Sequence, residues 1–158
     1  MPESKPLKAI VLGGTNAHIP LIHKLKKRGY QTLLVDYFEH PPAKGAADLH
    51  IQASTLDAQA VKKIALEHQV DLVISTCVDQ ACVTACQVSE ALQLPAPLSH
   101  EAILSLTNKE QMKQKMVALG IPTAKYISLD SIADVKAGEL DFPLVVKPAD
   151  RNGSAGVR

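Results

Sequence analysis

The opening segment most restricts what this chain can fold into. Leu7 to Leu12 is an apolar run that reads as a strand, and Gly13-Gly14-Thr15-Asn16 is the turn behind it. Thr15 or Asn16 is placed to cap a helix carrying Ile19, Ile22 and Leu25 at helical spacing. Lys26, Lys27 and Arg28 sit in its last turn, where cations complement the dipole, and Gly29 provides the stop. Gln31 to Val35 is a second strand that ends at Asp36. Strand, glycine turn, helix, strand and acidic residue, in that order, open a doubly wound, Rossmann-like α/β fold with a parallel sheet. The turn falls short of the dinucleotide fingerprint, because GGTNAH lacks the third glycine of G-x-G-x-x-G. Asp36 reads as a ribose ligand or as a solvated strand end. A Rossmann-type module for NAD or a nucleotide sugar is therefore the alternative function.

The pattern continues downstream. Tyr37 to Ala47, with Pro41, Pro42 and Gly45, is a loop, and Leu49 to Gln52 a short strand. Ser54 or Thr55 can cap a helix that turns Ala58, Val61, Ile64 and Ala65 to one face. Leu72 to Ser75 is another apolar strand, followed by the polar loop Thr76-Cys77-Val78-Asp79 and a helix to Leu92. Ligands bind at the carboxyl ends of strands in such sheets, which makes Gly14, Thr15, Asp36, Cys77 and Asp79 the candidate substrate residues. His18 lies beside the glycine turn and reads first as a solvated helix start, with a group facing a ligand as the alternative. Leu94-Pro95-Ala96-Pro97 breaks the chain and closes a first domain at residue 96, with residues 97–158 forming the start of a second.

Composition removes several function classes. The net charge of +1 gives no basic surface for nucleic acid, and three tyrosines, two phenylalanines and no tryptophan offer no stacking platform for single strands. No apolar run is long enough to cross a membrane. Three cysteines without a leader pattern point to reduced thiols and a cytoplasmic setting. Cys82 and Cys86 share a helix face among Ala81, Val83 and Ala85, and read as core filler with no metal site, since further ligands at suitable spacing are missing.

In the second part, Ser99 opens a short helix to Leu106, and Thr107-Asn108-Lys109-Glu110 reads as a capping box with Thr107 at the cap. Gly120 and Ile121-Pro122 end the next helix. Lys109 falls in its first turn, where the dipole disfavours a cation unless an anion is near. Ala124 to Ile127 reads as a strand, Ser131 to Ala137 as a short helix, and Leu144 to Lys147 as a buried strand with Lys147 at its end. Asp150 to Val157 is a small-residue loop able to bring backbone N–H groups close to an anion. A return strand would begin at Arg158.

These pieces together resemble the ATP-grasp superfamily of carboxylate–amine ligases, the group that includes biotin carboxylase and carbamoyl phosphate synthetase. The resemblance rests on Thr107-Asn108-Lys109 opening a helix, on Leu119-Gly120-Ile121-Pro122-Thr123-Ala124, and on Leu144-Val145-Val146-Lys147-Pro148 followed by Asn152 to Val157. It implies a pre-ATP-grasp domain followed by the first part of the nucleotide-binding domain. Lys109 and Lys147 would contact the phosphates of ATP, and Arg151, Asn152, Gly153, Ser154, Ala155 and Gly156 would close over them. The partners implied are ATP and a small carboxylate substrate, with a homodimer as a further expectation. Mg2+ would accompany ATP, its ligands and the catalytic arginine falling in later parts of such ligases. The expectation is an inactive piece of an enzyme that activates a carboxylate as an acyl phosphate and passes it to an amine.

Overall fold

The computed structural model describes residues 5–131, 140–151 and 156–158. Two compact units divide the chain, Met1–Ile103 and Leu104–Arg158.

The first unit is built on four parallel strands, β1 (Lys8–Leu12), β2 (Gln31–Asp36), β3 (Leu49–Gln52) and β4 (Leu72–Ser75), in the order β3-β2-β1-β4. Its helices are α1 (Ile19–Lys27), α2 (Ala58–His68) and α3 (Asp79–Ala91). Alternate residues of β1 serve opposite faces, as the two-residue period of a strand requires. Ile10 and Leu12 join Leu33 and Val35 of β2 against Val61 and Ala65 of α2 and Ala85 and Val88 of α3. Ala9 and Val11 join Leu34 against Ile22 and Leu25 of α1 and Ala43 of the following loop. Both faces are thus covered, which explains why β1 and β2 read as continuous apolar runs. The chain moves outward from β1 to β2 and β3, then crosses back to β4. That reversal puts a topological switch point between β1 and β4.

Several local expectations are corrected by the structure. A turn of 3-10 helix (Asn16–His18) precedes α1, and the Thr15 side chain gives it no cap. Neither Ser54 nor Thr55 caps α2. Asp57 does so, its Oδ1 accepting from the N–H groups of Gln59 and Ala60 at 3.0 Å. An aspartate directly before the helix reaches these N–H groups, whereas the two hydroxyls lie too early in the chain.

In the second unit, α4 (His100–Thr107) runs across the division between units and α5 (Lys109–Ala118) follows. Asn108, not Thr107, caps α5, accepting from Glu110 and Gln111 N–H at 3.1 Å. Thr107 is still helical in α4 and donates its hydroxyl to the Leu104 carbonyl. Glu110 accepts from Gln114 in place of closing a capping box. Gly120 ends α5 with φ +67°, and the Ile121 N–H reaches back to the Met116 carbonyl at 2.8 Å.

Among the described residues Ala124 to Ile127 runs without strand pairing. The expected buried strand Leu144 to Lys147 is also not formed: Val145 is 69% and Val146 62% exposed. A strand is stabilised by its neighbours, and among the described residues Val146 pairs with Arg158 alone, the two exchanging N–H···O bonds of 2.9 and 2.8 Å. That pair is antiparallel and sits where a return strand was expected. The helix expected over Ser131 to Ala137 falls almost wholly outside the described residues.

Candidate functional site

In the first unit, the expected substrate residues gather on the carboxyl edge of the sheet. Gly14 and Thr15 follow β1, Asp36 ends β2, and Cys77 and Asp79 follow β4. The parallel arrangement brings these loops to one side.

The glycine turn is tightly held. Gly13 has φ +102° and donates its N–H to the Val35 carbonyl at 2.9 Å. The Gly14 N–H donates to Asp36 Oδ2 at 2.6 Å, and the other carboxylate oxygen accepts from the Phe38 N–H at 2.9 Å. The Gly14 carbonyl accepts from the Ala43 N–H at 2.8 Å, so the loop after β2 folds back over the turn. A Cβ on Gly14 would lie 2.4 Å from Cβ of Pro41 and 3.0 Å from Asp36 Oδ2. Asp36 is 7% exposed and spends both oxygens on backbone N–H groups. Its negative charge fills the place that an anion would take on this turn.

His18 is not the solvated helix start expected of it. It is fully buried, because its ring fills the space beside Gly13 where a side chain would otherwise stand. Its Nδ1 lies 2.9 Å from the Thr15 hydroxyl. Burial lowers its pKa below the ordinary 6.5, against the pull of the Thr15 backbone, the Asp36 carboxylate and the backbone of Thr76 and Leu12. Its position in the helical spacing of Ile22 and Leu25 was the available signal, at i−4 and i−7.

On the β4 side, the Ser75 hydroxyl donates to the Leu12 carbonyl at 2.6 Å, joining the two strands at the switch point. Cys77 is exposed and left-handed, with φ +61°, an uncommon conformation for a side chain of this kind. Its Sγ lies 3.4 Å from the Thr76 hydroxyl. Asp79 is exposed at the first position of α3, where a carboxylate suits the dipole. Burial raises the thiol pKa of the half-buried Cys82 and of the buried Cys86, which favours the neutral thiol in both. Among the described residues no three His, Cys, Asp or Glu side chains converge on a metal position.

In the second unit, Lys109 opens α5 and is tied to the segment after Lys147. Its N–H donates to the Ala149 carbonyl at 2.8 Å, and its ammonium donates to the Arg151 carbonyl. Lys147 and Arg151 are exposed. Gly156 has φ +76°, and a Cβ there would lie 2.9 Å from Pro148 Cγ, so the loop closes tightly on the proline. Asn152, Gly153, Ser154 and Ala155 lie outside the described residues. Lys113, which the sequence reading passed over, donates to the Thr123 hydroxyl and to the Ala124 carbonyl and lies 5.8 Å from the centre of the Tyr126 ring.

No family model matches the chain. It is similar in sequence to the formate-dependent phosphoribosylglycinamide formyltransferase of Mannheimia succiniciproducens, 23% identical over 146 residues, which cover 91% of this chain and 37% of that protein. Among solved structures, the L-amino acid ligase of Bacillus licheniformis superposes with a TM-score of 0.75 at 22% identity, covering 94% of this chain and 39% of that one. The N5-carboxyaminoimidazole synthetase of Staphylococcus aureus complexed with ADP superposes with a TM-score of 0.59 at 18% identity, over 72% of this chain and 30% of that one. These proteins are ATP-grasp ligases, and the match is to their amino-terminal portion. The chain spans less than two-fifths of the length of the formyltransferase it matches. The fold implied by the sequence resemblance is thereby borne out, and nothing in these similarities favours a dinucleotide-binding module.

Proposed function

We propose that this chain is the leading part of an ATP-dependent ligase of the ATP-grasp type, one that activates a small carboxylate as an acyl phosphate and joins it to an amine or similar nucleophile. The observation that carries the reading is the tie between Lys109 and residues 149–151. It joins the helix start and the glycine loop that the sequence resemblance assigned, separately, to the triphosphate. A lysine in the first turn of α5 is unfavourable beside the positive dipole end, and a bound phosphate would remove that conflict. The tight approach of Gly156 to Pro148 leaves no room for a side chain there.

In this reading Lys109, Lys147 and Arg151 supply positive charge to the phosphates, and residues 152–156 supply backbone N–H groups. ATP would provide the phosphoryl group that turns the carboxylate into a reactive acyl phosphate. Magnesium accompanies the nucleotide. The carboxyl edge of the first unit, with Thr15, Cys77 and Asp79 exposed, holds the acceptor substrate. Gly14 and Asp36 shape that edge through their mutual bond. A cytoplasmic setting and the domain division near residue 96 belong to the same reading.

The test is hydroxylamine trapping in the protein that carries this stretch. ATP and the correct carboxylate should yield a hydroxamate, and Lys109→Met or Lys147→Met should raise the KM for ATP roughly 10- to 100-fold, as expected for a lost charged hydrogen bond of about 1.5–3 kcal/mol. Hydride transfer with a nicotinamide cofactor and no ATP cleavage would overturn the proposal.

A further inference from the structure

His18 is a buried polar side chain that the proposed chemistry leaves unused. Its Nδ1 meets the Thr15 hydroxyl at 2.9 Å, and its buried Nε2 has no hydrogen-bond partner among the described residues. A Cβ built on Gly13 would lie 2.6 Å from Nε2 and 2.8 Å from Cε1, so the ring edge is pressed against the glycine. That contact blocks the ring from moving towards the turn. Native structures seldom keep an enclosed polar atom unpaired without a reason.

We propose that His18 is a positioning residue that sets the hydrogen-bonding sense of the Thr15 hydroxyl, and with it the kind of ligand group the acceptor edge prefers. The hydroxyl has one proton and two lone pairs. When Nδ1 is bare, it accepts the Thr15 proton, and the exposed hydroxyl turns only lone pairs outward. When Nδ1 carries a proton, the ring donates to Oγ1, and the hydroxyl must aim its own proton elsewhere. The buried ring therefore decides whether Thr15 accepts from a ligand or donates to it.

The surroundings of the ring choose between these states. Asp36 at the end of β2 is the charged side chain that acts on it. The backbone of Thr15, and from the ends of β4 and β1 that of Thr76 and Leu12, acts in the same sense, favouring a proton on the ring. Where Nδ1 accepts from the Thr15 hydroxyl that proton sits on Nε2, and this is the state assigned to the neutral ring. The neutral ring thus leaves Nδ1 as an acceptor, and Thr15 offers lone pairs to an N–H donor such as an amine. In acid the imidazolium reverses the bond, and Thr15 becomes a donor suited to a carboxylate or phosphate. This consequence for ligands rests on the acceptor-site reading above.

The experiment is a pH titration of the 15N-labelled chain, following the imidazole nitrogens of His18 and the amide and methyl signals of Thr15. The expected result is an Nε2–H tautomer near neutral pH, a His18 midpoint below the ordinary histidine value, and Thr15 signals that move with that same midpoint. Thr15 signals in His18→Gln should lose this pH dependence. An Nδ1–H tautomer near neutral pH, or Thr15 signals that ignore the His18 midpoint, would overturn the proposal. The wild-type titration needs neither a ligand nor a folded variant. Its failure removes the switch and leaves the acceptor-site reading standing, whereas failure of hydroxamate trapping removes that reading and leaves the titration as measured.

Discussion

Asp36 shows how a single side chain can settle the geometry of a turn. Two backbone N–H groups, those of Gly14 and Phe38, depend on its two oxygens. Asp36→Ala should therefore cost more than Asp36→Asn. The alanine strands both donors, the buried Gly14 N–H at about 1–3 kcal/mol and the part-buried Phe38 N–H at less, while asparagine keeps one oxygen. Urea unfolding of the two variants checks the order. Asp36 was legible in the sequence as an acidic strand end, but its direction was not, because sequence spacing does not say whether a carboxylate turns outward to a ribose or inward to its own chain. His18 sets a second expectation at this scale. Burial lowers its folded pKa below 6.5, so between the two values the unfolded chain binds the proton more readily. Its contribution to stability is complete above pH 6.5 and declines as pH falls below it. Asp48 acts in a lower window. Burial alone would raise its pKa, but Lys26 and the Thr32 hydrogen bonds outweigh that and lower it from 3.8, so its contribution is lost only in stronger acid. Unfolding free energies at about pH 7.5 and about pH 5 should differ in wild type and converge in His18→Phe, which keeps a ring without a titrating nitrogen.

At the scale of elements, periodicity served well where a second layer exists. The strands β1 to β4 and the helices α1 to α3 stand close to where apolar spacing put them, because each has a face to bury against the sheet. Caps were harder to read. Ser54, Thr55 and Asp57 are all competent cap residues, as are Thr107 and Asn108, and which one serves depends on where the first helical turn begins. Helix α5 buries none of its residues. Its stability therefore leans on local terms, and Asn108→Ala should remove about 0.5–2 kcal/mol and fray the first turn. Faster amide exchange at Glu110 and Gln111 would register it, since these are the donors that Asn108 holds.

At the scale of the whole molecule, stability is unevenly shared. Every buried apolar side chain among the described residues lies between Ala9 and Val88, within the first unit. In the second unit Leu119, Phe142, Val145 and Val146 are all largely exposed. Limited proteolysis should therefore cut first beyond residue 103 and leave a folded piece close to Met1–Ile103, identified by mass. Survival of the second unit alone would contradict this. The apolar run Leu144 to Val146 misled for the same physical reason: a sequence shows that a segment could be buried, and only a neighbouring layer makes it so. The bond between Asp36 and Gly14 has a consequence on this scale too. A tethered carboxylate competes with any dissolved phosphate for the Gly14 N–H at no cost in concentration, so the sheet carries its own inhibitor at the place where folds of this type often seat a nucleotide. The Gly14 N–H is thus already committed within the chain, and an anion reaching this turn has first to displace the carboxylate.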